Sequence, residues 1–390
     1  MEKIVEYGKQ IISKLLSLNY EAYFVGGFVR DSILNIPCND IDIATNALPE
    51  EIEEIFDKTK ATGKKYGTIT VFMDKYSFEV TTYRIDKNYI NNRRPETVNF
   101  SKILKEDLIR RDFTINALAR DINGEIIDLF NGRKDLNNKL IRAIDDPNKR
   151  FKEDALRILR AIRFVGKLDF KIEKNTFNAM KKNLKLLRNI ASERIINELK
   201  IILSLNHIDR VYKLFEEIDL STVFKDLKKA IDKLKTYEYN INIYQLFALG
   251  YYPDKEITSS YWRFSKNEIK HINTLVELME ILDKQRLTSI IVYNYQFEYI
   301  LEADKLLSGF FNYKSQKDKI INLNKNLKIK TVKDLNIKGS DIKQLVNDDR
   351  FIGIILEKLV EKVLLEKINN DYNELIRLSK ELAEEMHDKQ

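Results

Sequence analysis

Apolar and polar positions follow two different rhythms along the chain, and the change falls near residue 150. Before it, apolar runs are short. YFVGG reads as a strand ending in a turn, FVRDSILN as a short helix, and DIDIAT as a strand with period-two alternation. GTITVFM and SFEVTTYR predict two further strands separated by MDKYS, and Asn123-Gly124 between ARDI and EIIDLF is a strong hairpin signal. From Phe151 onward apolar residues recur at three and four. EDALRILRAIRF, KLLRNIASERIINELKIIL and IGIILEKLVEKVLLEKI therefore predict amphipathic helices. Punctuation divides the chain at the same place, because residues 1–150 hold seven of the 12 glycines and four of the five prolines. The expected fold is an α+β head with a mixed sheet, followed by an almost wholly helical arm without a fixed-period repeat.

Composition narrows the class. With 44% hydrophobic and 33% charged residues over 390 positions, the chain can bury a core and is too charged for a membrane span, and no apolar run approaches the ~20 residues a spanning helix needs. Cys38 is the single cysteine, and His207, His271 and His387 are scattered. A disulfide scaffold and a zinc finger are thereby excluded, and a reducing cytoplasm is the expected compartment. Net charge is +7, but residues 141–200 alone carry +8. A local basic surface suits a polyanion such as nucleic acid; it is equally compatible with a solvated lysine-rich helix face.

Three clusters in the first part carry candidate chemistry. Gly26 and Gly27 stand at a strand-to-helix junction with Arg30 and Asp31 just beyond, where glycines let backbone amides approach an anion and Arg30 can neutralise a triphosphate. Ordinary loop chemistry explains the same glycines. Asp40 and Asp42 lie two apart in a predicted strand, so both carboxylates share a face, with Ile41 and Ile43 on the other. Paired carboxylates suit Mg²⁺, which takes a few of them plus substrate phosphates; an Asx turn at the strand entrance, helped by Asn39, is the alternative. Glu79 in FEVTTYR is a third catalytic carboxylate from a neighbouring strand, or an exposed strand residue.

VGGFVRD followed by DIDIAT resembles the head signature of the nucleotidyltransferase superfamily, and more narrowly of the class II tRNA nucleotidyltransferases (CCA-adding enzymes) and the related bacterial poly(A) polymerases. RRDFTINAL at 110–118, DLFNGRKDL at 128–136, EDALRILRAIRF at 153–164 and SERIINEL at 192–199 follow in the family's order. NIKGSDIKQLV and GIILEKLVEKVLLEKINND resemble the family tail more loosely. The resemblance implies a catalytic head over residues 1–140 with a nucleotidyltransferase-type sheet, and an all-α neck (141–200), body (201–310) and tRNA-binding tail (311–390). It implies that CMP, CMP and AMP from CTP and ATP are added to the tRNA 3′ end, with Mg²⁺ held by Asp40 and Asp42. It also implies nucleotide contacts for Gly27, for Arg111 (phosphate or ribose) and for Asp112 (ribose 2′-OH). For Asp112 an N-cap to FTINAL is the alternative.

Asp154 and Arg157, three apart on a predicted helix, pair an acceptor with a fork of donors. Cytosine and adenine both offer an amino donor beside a ring-nitrogen acceptor, whereas uracil and guanine place a carbonyl there, so such a pair accepts C and A. Arg160 and Arg163 continue the stripe toward triphosphate or primer. A plain amphipathic basic helix is the competing reading of the same residues. YRIDKNYINNRRPETVNF resembles the flexible loop of enzymes that add A, with Arg84, Asp86 and Arg94 moving with it. The YWRF cluster at 261–264 is core or an RNA-stacking surface. Within the family, a poly(A) polymerase or partial A-adding enzyme is the neighbouring expectation; outside it, a catalytically silent RNA-binding protein.

Overall fold

The computed structural model describes residues 2–38, 40–90, 94–235, 237, 239–253 and 261–387, with backbone alone for 86–90, 94–97 and 387. Asn39 and the side chains of Asp86 and Arg94 lie outside the described residues. The chain forms two compact units, Met1–Ile243 with Ser260–Arg263, and Tyr244–Ser259 with Phe264–Gln390.

The first unit opens with α1 (Glu2–Ser17), whose Ile4, Ile11, Ile12 and Leu15 form one buried stripe. Then come β1 (Ala22–Val25), α2 (Gly27–Ile33), β2 (Asp42–Thr45), α3 (Pro49–Ile55), β3 (Thr59–Gly63), β4 (Thr68–Met73) and β5 (Tyr76–Thr82). A separate ribbon, β6 (Arg84–Ile90) with β7 (Arg94–Phe100), leads to α4 (Leu104–Ile109), β8 (Leu118–Arg120) and β9 (Ile126–Asp128). The main sheet has seven strands in the order β3-β4-β5-β2-β1-β8-β9. All its pairs are antiparallel except β2 with β5, whose register sets Asp42 opposite Glu79. Gly8 of α1 faces Phe24 of β1 so closely that a Cβ would stand 2.7 Å from the ring. Val25, Ala44, Tyr83, Leu108, Ala117 and Ala119 form a buried cluster beneath the site.

Beyond the sheet, α5 (Gly132–Asn137) and β10 (Leu140–Ile141) precede α6 (Pro147–Glu153) and α7 (Arg157–Leu168). β11 (Lys171–Ile172) pairs with β10, and α8 (Lys174–Asn183), α9 (Ser192–Leu203), α10 (Ile208–Glu217) and α11 (Lys228–Leu234) complete this unit. Trp262 is buried here against Phe224 and donates from Nε1 to Asp226 at 3.0 Å, so it is core. The second unit is helical: α12 (Ile243–Tyr251), α13 (Lys266–Lys284), α14 (Ser289–Asn294), α15 (Phe297–Phe310), α16 (Lys317–Lys325), α17 (Gly339–Lys343), α18 (Arg350–Leu364) and α19 (Tyr372–His387). Ile342, Ile355, Leu359, Val363 and Leu375 centre its core. The mixed-sheet head and helical remainder agree with the expected fold class.

Four local expectations are corrected. EDALRILRAIRF is not one helix, because α6 stops at Glu153 and α7 starts at Arg157, with Asp154 at an extended φ/ψ of −140°/104° between them. The segment read as a loop from Arg84 to Phe100 is a paired ribbon over its described residues. β2 begins at Asp42, so Asp40 stands just before the strand. FTINAL starts no α-helix; a single 3₁₀ turn at Thr114–Asn116 leads straight into β8.

Candidate active site

The turn between β1 and α2 is the geometric key. Gly26 caps α2 with φ +70° and ψ −136°, a conformation L side chains rarely adopt. A Cβ there would sit 3.1 Å from Arg111 Nη1 and 3.3 Å from Asp42 Oδ2. This glycine thus keeps open the space in which a carboxylate and a guanidinium face each other.

Asp42 is half-buried at the head of β2, while Asp40 and Glu79 are exposed. Burial, then the charge of Asp40, push the Asp42 carboxyl up to about 6; Arg111 opposes this and Glu79 adds to it. Both neighbouring acids thus disfavour the Asp42 anion. Among the described residues no three His, Cys, Asp or Glu form a closed metal-holding group. That leaves a cation needing other ligands beside Asp40 and Asp42.

The arginines of the RRD segment divide their work. Asp107, buried in α4, accepts from Arg110 Nη2 at 2.6 Å and from Arg111 Nη2 at 3.0 Å. These cations hold its carboxyl below the usual range although burial pulls the other way. Arg111 Nε is buried with no hydrogen-bond partner. Asp112 is fully engaged: Oδ1 accepts from Phe113 N and Asn116 Nδ2, both at 2.8 Å, and Oδ2 accepts from Arg160 Nε at 2.7 Å. Burial alone would raise its pKa, but Arg160 and the hydrogen bonds from Asn116 and Arg160 hold it well below the ordinary carboxylate value.

The other predicted cations also meet partners. Arg30 is buried, donating to Asp31 Oδ1 at 2.7 Å and Asn116 Oδ1 at 2.6 Å, and Lys167 reaches Asp31 Oδ2 at 2.9 Å. Arg163 pairs with Glu198 at 3.1 Å. Arg157 Nη1 donates to Glu153 Oε2 at 2.9 Å and Arg150 O at 3.0 Å, and its Nη2 to Arg110 O at 2.7 Å. Arg157 does not hold Asp154. Asp154 instead accepts from Arg194 of α9, at 2.9 Å on Oδ2 and 3.4 Å on Oδ1, and from Leu156 N at 3.1 Å. Arg194 had no sequence signal beyond its place in SERIINEL, because its partner lies forty residues earlier.

One cavity of about 1060 Å³ gathers these groups, lined by Gly26, Gly27, Asp40, Asp42, Asp154 and Arg194. Arg30, Arg111, Asp112, Arg157, Arg160 and Arg163 line it too. Glu79 does not, and acts on the site through the charge it adds beside Asp42.

A glycine turn, paired acids on a mixed sheet and an arginine-rich cavity define a nucleotidyltransferase head. Residues 22–142 match the family model "Poly A polymerase head domain", residues 169–231 that of the RNA and SrmB-binding site of polymerase A, and residues 246–378 that of tRNA nucleotidyltransferase domain 2. A CCA-adding enzyme of Ligilactobacillus salivarius is 39% identical, covering 96% of both chains. One of Staphylococcus haemolyticus is 36% identical over 97% of this chain and 98% of its own. The crystal structure of the Bacillus stearothermophilus CCA-adding enzyme in complex with CTP superposes with a TM-score of 0.83 at 28% identity, covering each chain completely. This chain belongs to the CCA-adding enzyme family, whose members are generally metal-dependent nucleotidyltransferases. Among the described residues no helix is long and apolar enough to cross a membrane.

Proposed function

We propose that the protein adds CMP, CMP and AMP, from CTP and ATP, to the 3′ end of tRNA without a nucleic-acid template. One observation carries this reading: a single cavity is lined both by Asp40 and Asp42 and by Asp154 and Arg157. The first pair suits reacting oxygens, the second a base edge.

The carboxylates fit Mg²⁺. Asp42 is destabilised as an anion by burial and by its acidic neighbours, and hard oxygen donors are what that ion prefers. Asp40 and Asp42 would hold it, with Glu79 reinforcing the negative field. Bound there, Mg²⁺ lowers the pKa of the primer 3′-hydroxyl and offsets charge on the departing pyrophosphate. The protein's own groups do the rest. Gly26 and Gly27 keep the turn narrow enough for phosphate to approach, and the buried unpartnered Nε of Arg111 is a donor waiting for an anion. Asp112, with both oxygens in use, orients Arg160 and would accept the ribose 2′-hydroxyl only in place of one of its present donors. Arg30, Arg160 and Arg163 supply positive field to the triphosphate. Asp154 accepts a hydrogen bond from the amino group of cytosine or adenine, and Arg157 faces the ring nitrogen.

We assign residues 1–140 to catalysis, 141–200 to nucleotide recognition, and the body (201–310) and tail (311–390) to gripping tRNA, in the cytoplasm where these substrates occur. The segment between Ile85 and Pro95 would switch the site from CTP to ATP, so shortening it should keep CMP incorporation and lose AMP incorporation. The deciding experiment incubates the full chain with tRNA lacking CCA, labelled CTP and ATP, and sequences the ends. Completed CCA ends are expected. A single A would indicate an A-adding enzyme, a long A tract a poly(A) polymerase, and binding without incorporation a silent RNA-binding protein.

A further inference from the structure

Asp154 stands where the chain is least constrained by regular structure. It follows the last residue of α6, its backbone is extended, and α7 does not begin until Arg157. A carboxylate on such a corner turns freely about its side-chain bonds unless something fixes it. Arg157 cannot, because its Nη1 and Nη2 are bonded to Glu153 and to the carbonyls of Arg150 and Arg110. Leu156 N donates to Oδ1 at 3.1 Å. The remaining contact is the Arg194 guanidinium, which reaches both carboxylate oxygens.

The two reaches are unequal. Nη2 to Oδ2 is 2.9 Å, a full charge-assisted bond, while Nη1 to Oδ1 is 3.4 Å, beyond usual hydrogen-bond length. Oδ1 thus meets two donors, Leu156 N and Arg194 Nη1, whereas Oδ2 meets Arg194 Nη2 alone and keeps capacity for an incoming amino group. The side chains of Asp154 and Arg194 are only 19% and 22% exposed, so water screens the pair weakly. Arg194 also lies in the first turn of α9, where a cation opposes the helix dipole. Its place is unfavourable for its own helix and favourable for Asp154.

We propose that Arg194 is a positioning residue for base selection, holding the Asp154 carboxylate so that one oxygen accepts a hydrogen bond from the amino group of cytosine or adenine and rejects the carbonyl of uracil or guanine. The inference rests on the base-reading role given to Asp154 above. Arg194 touches Asp154 and acts through it; without the clamp the carboxylate rotates, and a carbonyl-bearing base meets less repulsion.

The test measures kcat and KM for CTP, ATP, UTP and GTP on the full chain with tRNA lacking CCA, for wild type, Arg194→Ala, Arg194→Lys, Asp154→Ala and the double variant Asp154→Ala/Arg194→Ala. Arg194→Ala should lower the kcat/KM preference for CTP over UTP by about tenfold or more, with tRNA affinity unchanged. Arg194→Lys, which keeps the charge but not the fork, should fall between. In the Asp154→Ala background, loss of Arg194 should change the preference no further. Wild-type preference in Arg194→Ala beside a relaxed Asp154→Ala overturns the positioning role and leaves base reading intact. Wild-type preference in both overturns base reading itself, and additive effects in the double variant show that Arg194 acts elsewhere. If Arg194→Ala fails to fold, as judged by thermal unfolding, Arg194→Lys decides: an unchanged preference in it counts against the clamp.

Discussion

The two ends of the cavity are built on opposite principles. At the Asp40 and Asp42 end, like charges are gathered and left in conflict: Asp42 is half-buried beside two other acids, and Arg111 faces it with one buried donor unmatched. At the Asp154 end the charges are paired: Arg157, Arg160 and Arg194 are each hydrogen-bonded to a carboxylate, and Arg163 forms an ion pair with Glu198. The first end is completed by what binds there. The second is paired beforehand, which is what the base-reading role proposed for it requires. Catalysis and selection therefore respond differently to substitution.

The largest break in this contrast is Asp42→Ala. Nucleotide addition should fall by roughly a thousandfold or more, while thermal stability holds or rises, because a repelled carboxylate has been removed; labelled CMP incorporation and a melting curve report both. Gly26→Ala comes next. Its Cβ would press on Arg111 and Asp42 at a backbone angle unsuited to alanine, so activity should drop by roughly a hundredfold and stability by about 1 to 3 kcal/mol, measured by urea unfolding. Arg157→Ala tests the paired end. Two backbone carbonyls and Glu153 each lose one donor, so stability should fall by about 2 kcal/mol together with base preference, whereas Asp154→Ala should change preference with little loss of stability.

The smallest effect concerns pH. The Asp112 carboxyl titrates below its ordinary value of 3.8 in the folded protein. A carboxyl depressed in this way stabilises the fold above its unfolded pKa and loses that contribution as pH falls through the folded one. Asp112→Asn should therefore cost about 2 kcal/mol at pH 7, and its deficit against wild type should shrink only below about pH 4, as followed by unfolding at a series of pH values.

What could be read from the sequence divides along the same line. The strands carrying Asp42 and Glu79 follow from short alternating runs, and the hairpin between β8 and β9 from Asn123-Gly124, because these signals are local. The break at Asp154 was hidden, since Ala155 and Leu156 are good helix formers and no glycine or proline marks the corner. The β6–β7 ribbon was hidden because its sequence is mostly polar and carries no sustained period-two alternation of apolar residues. Arg194 was unreadable as Asp154's partner: nothing local encodes a contact across forty residues. The acids of the open end were legible as chemistry, and the satisfied pairs of the other end were not.

The cavity's lining begins at Gly26 and ends at Leu205. During synthesis, therefore, a ribosome has already made the whole sheet before the last wall of the site exists. At ordinary elongation rates the stretch from Asp128 to Leu205 takes roughly four to fifteen seconds, during which the acidic corner at β2 has been made but not enclosed. A half-made chain thus has the acidic corner without the walls around it, and the cavity is complete only when more than half of the chain has been made.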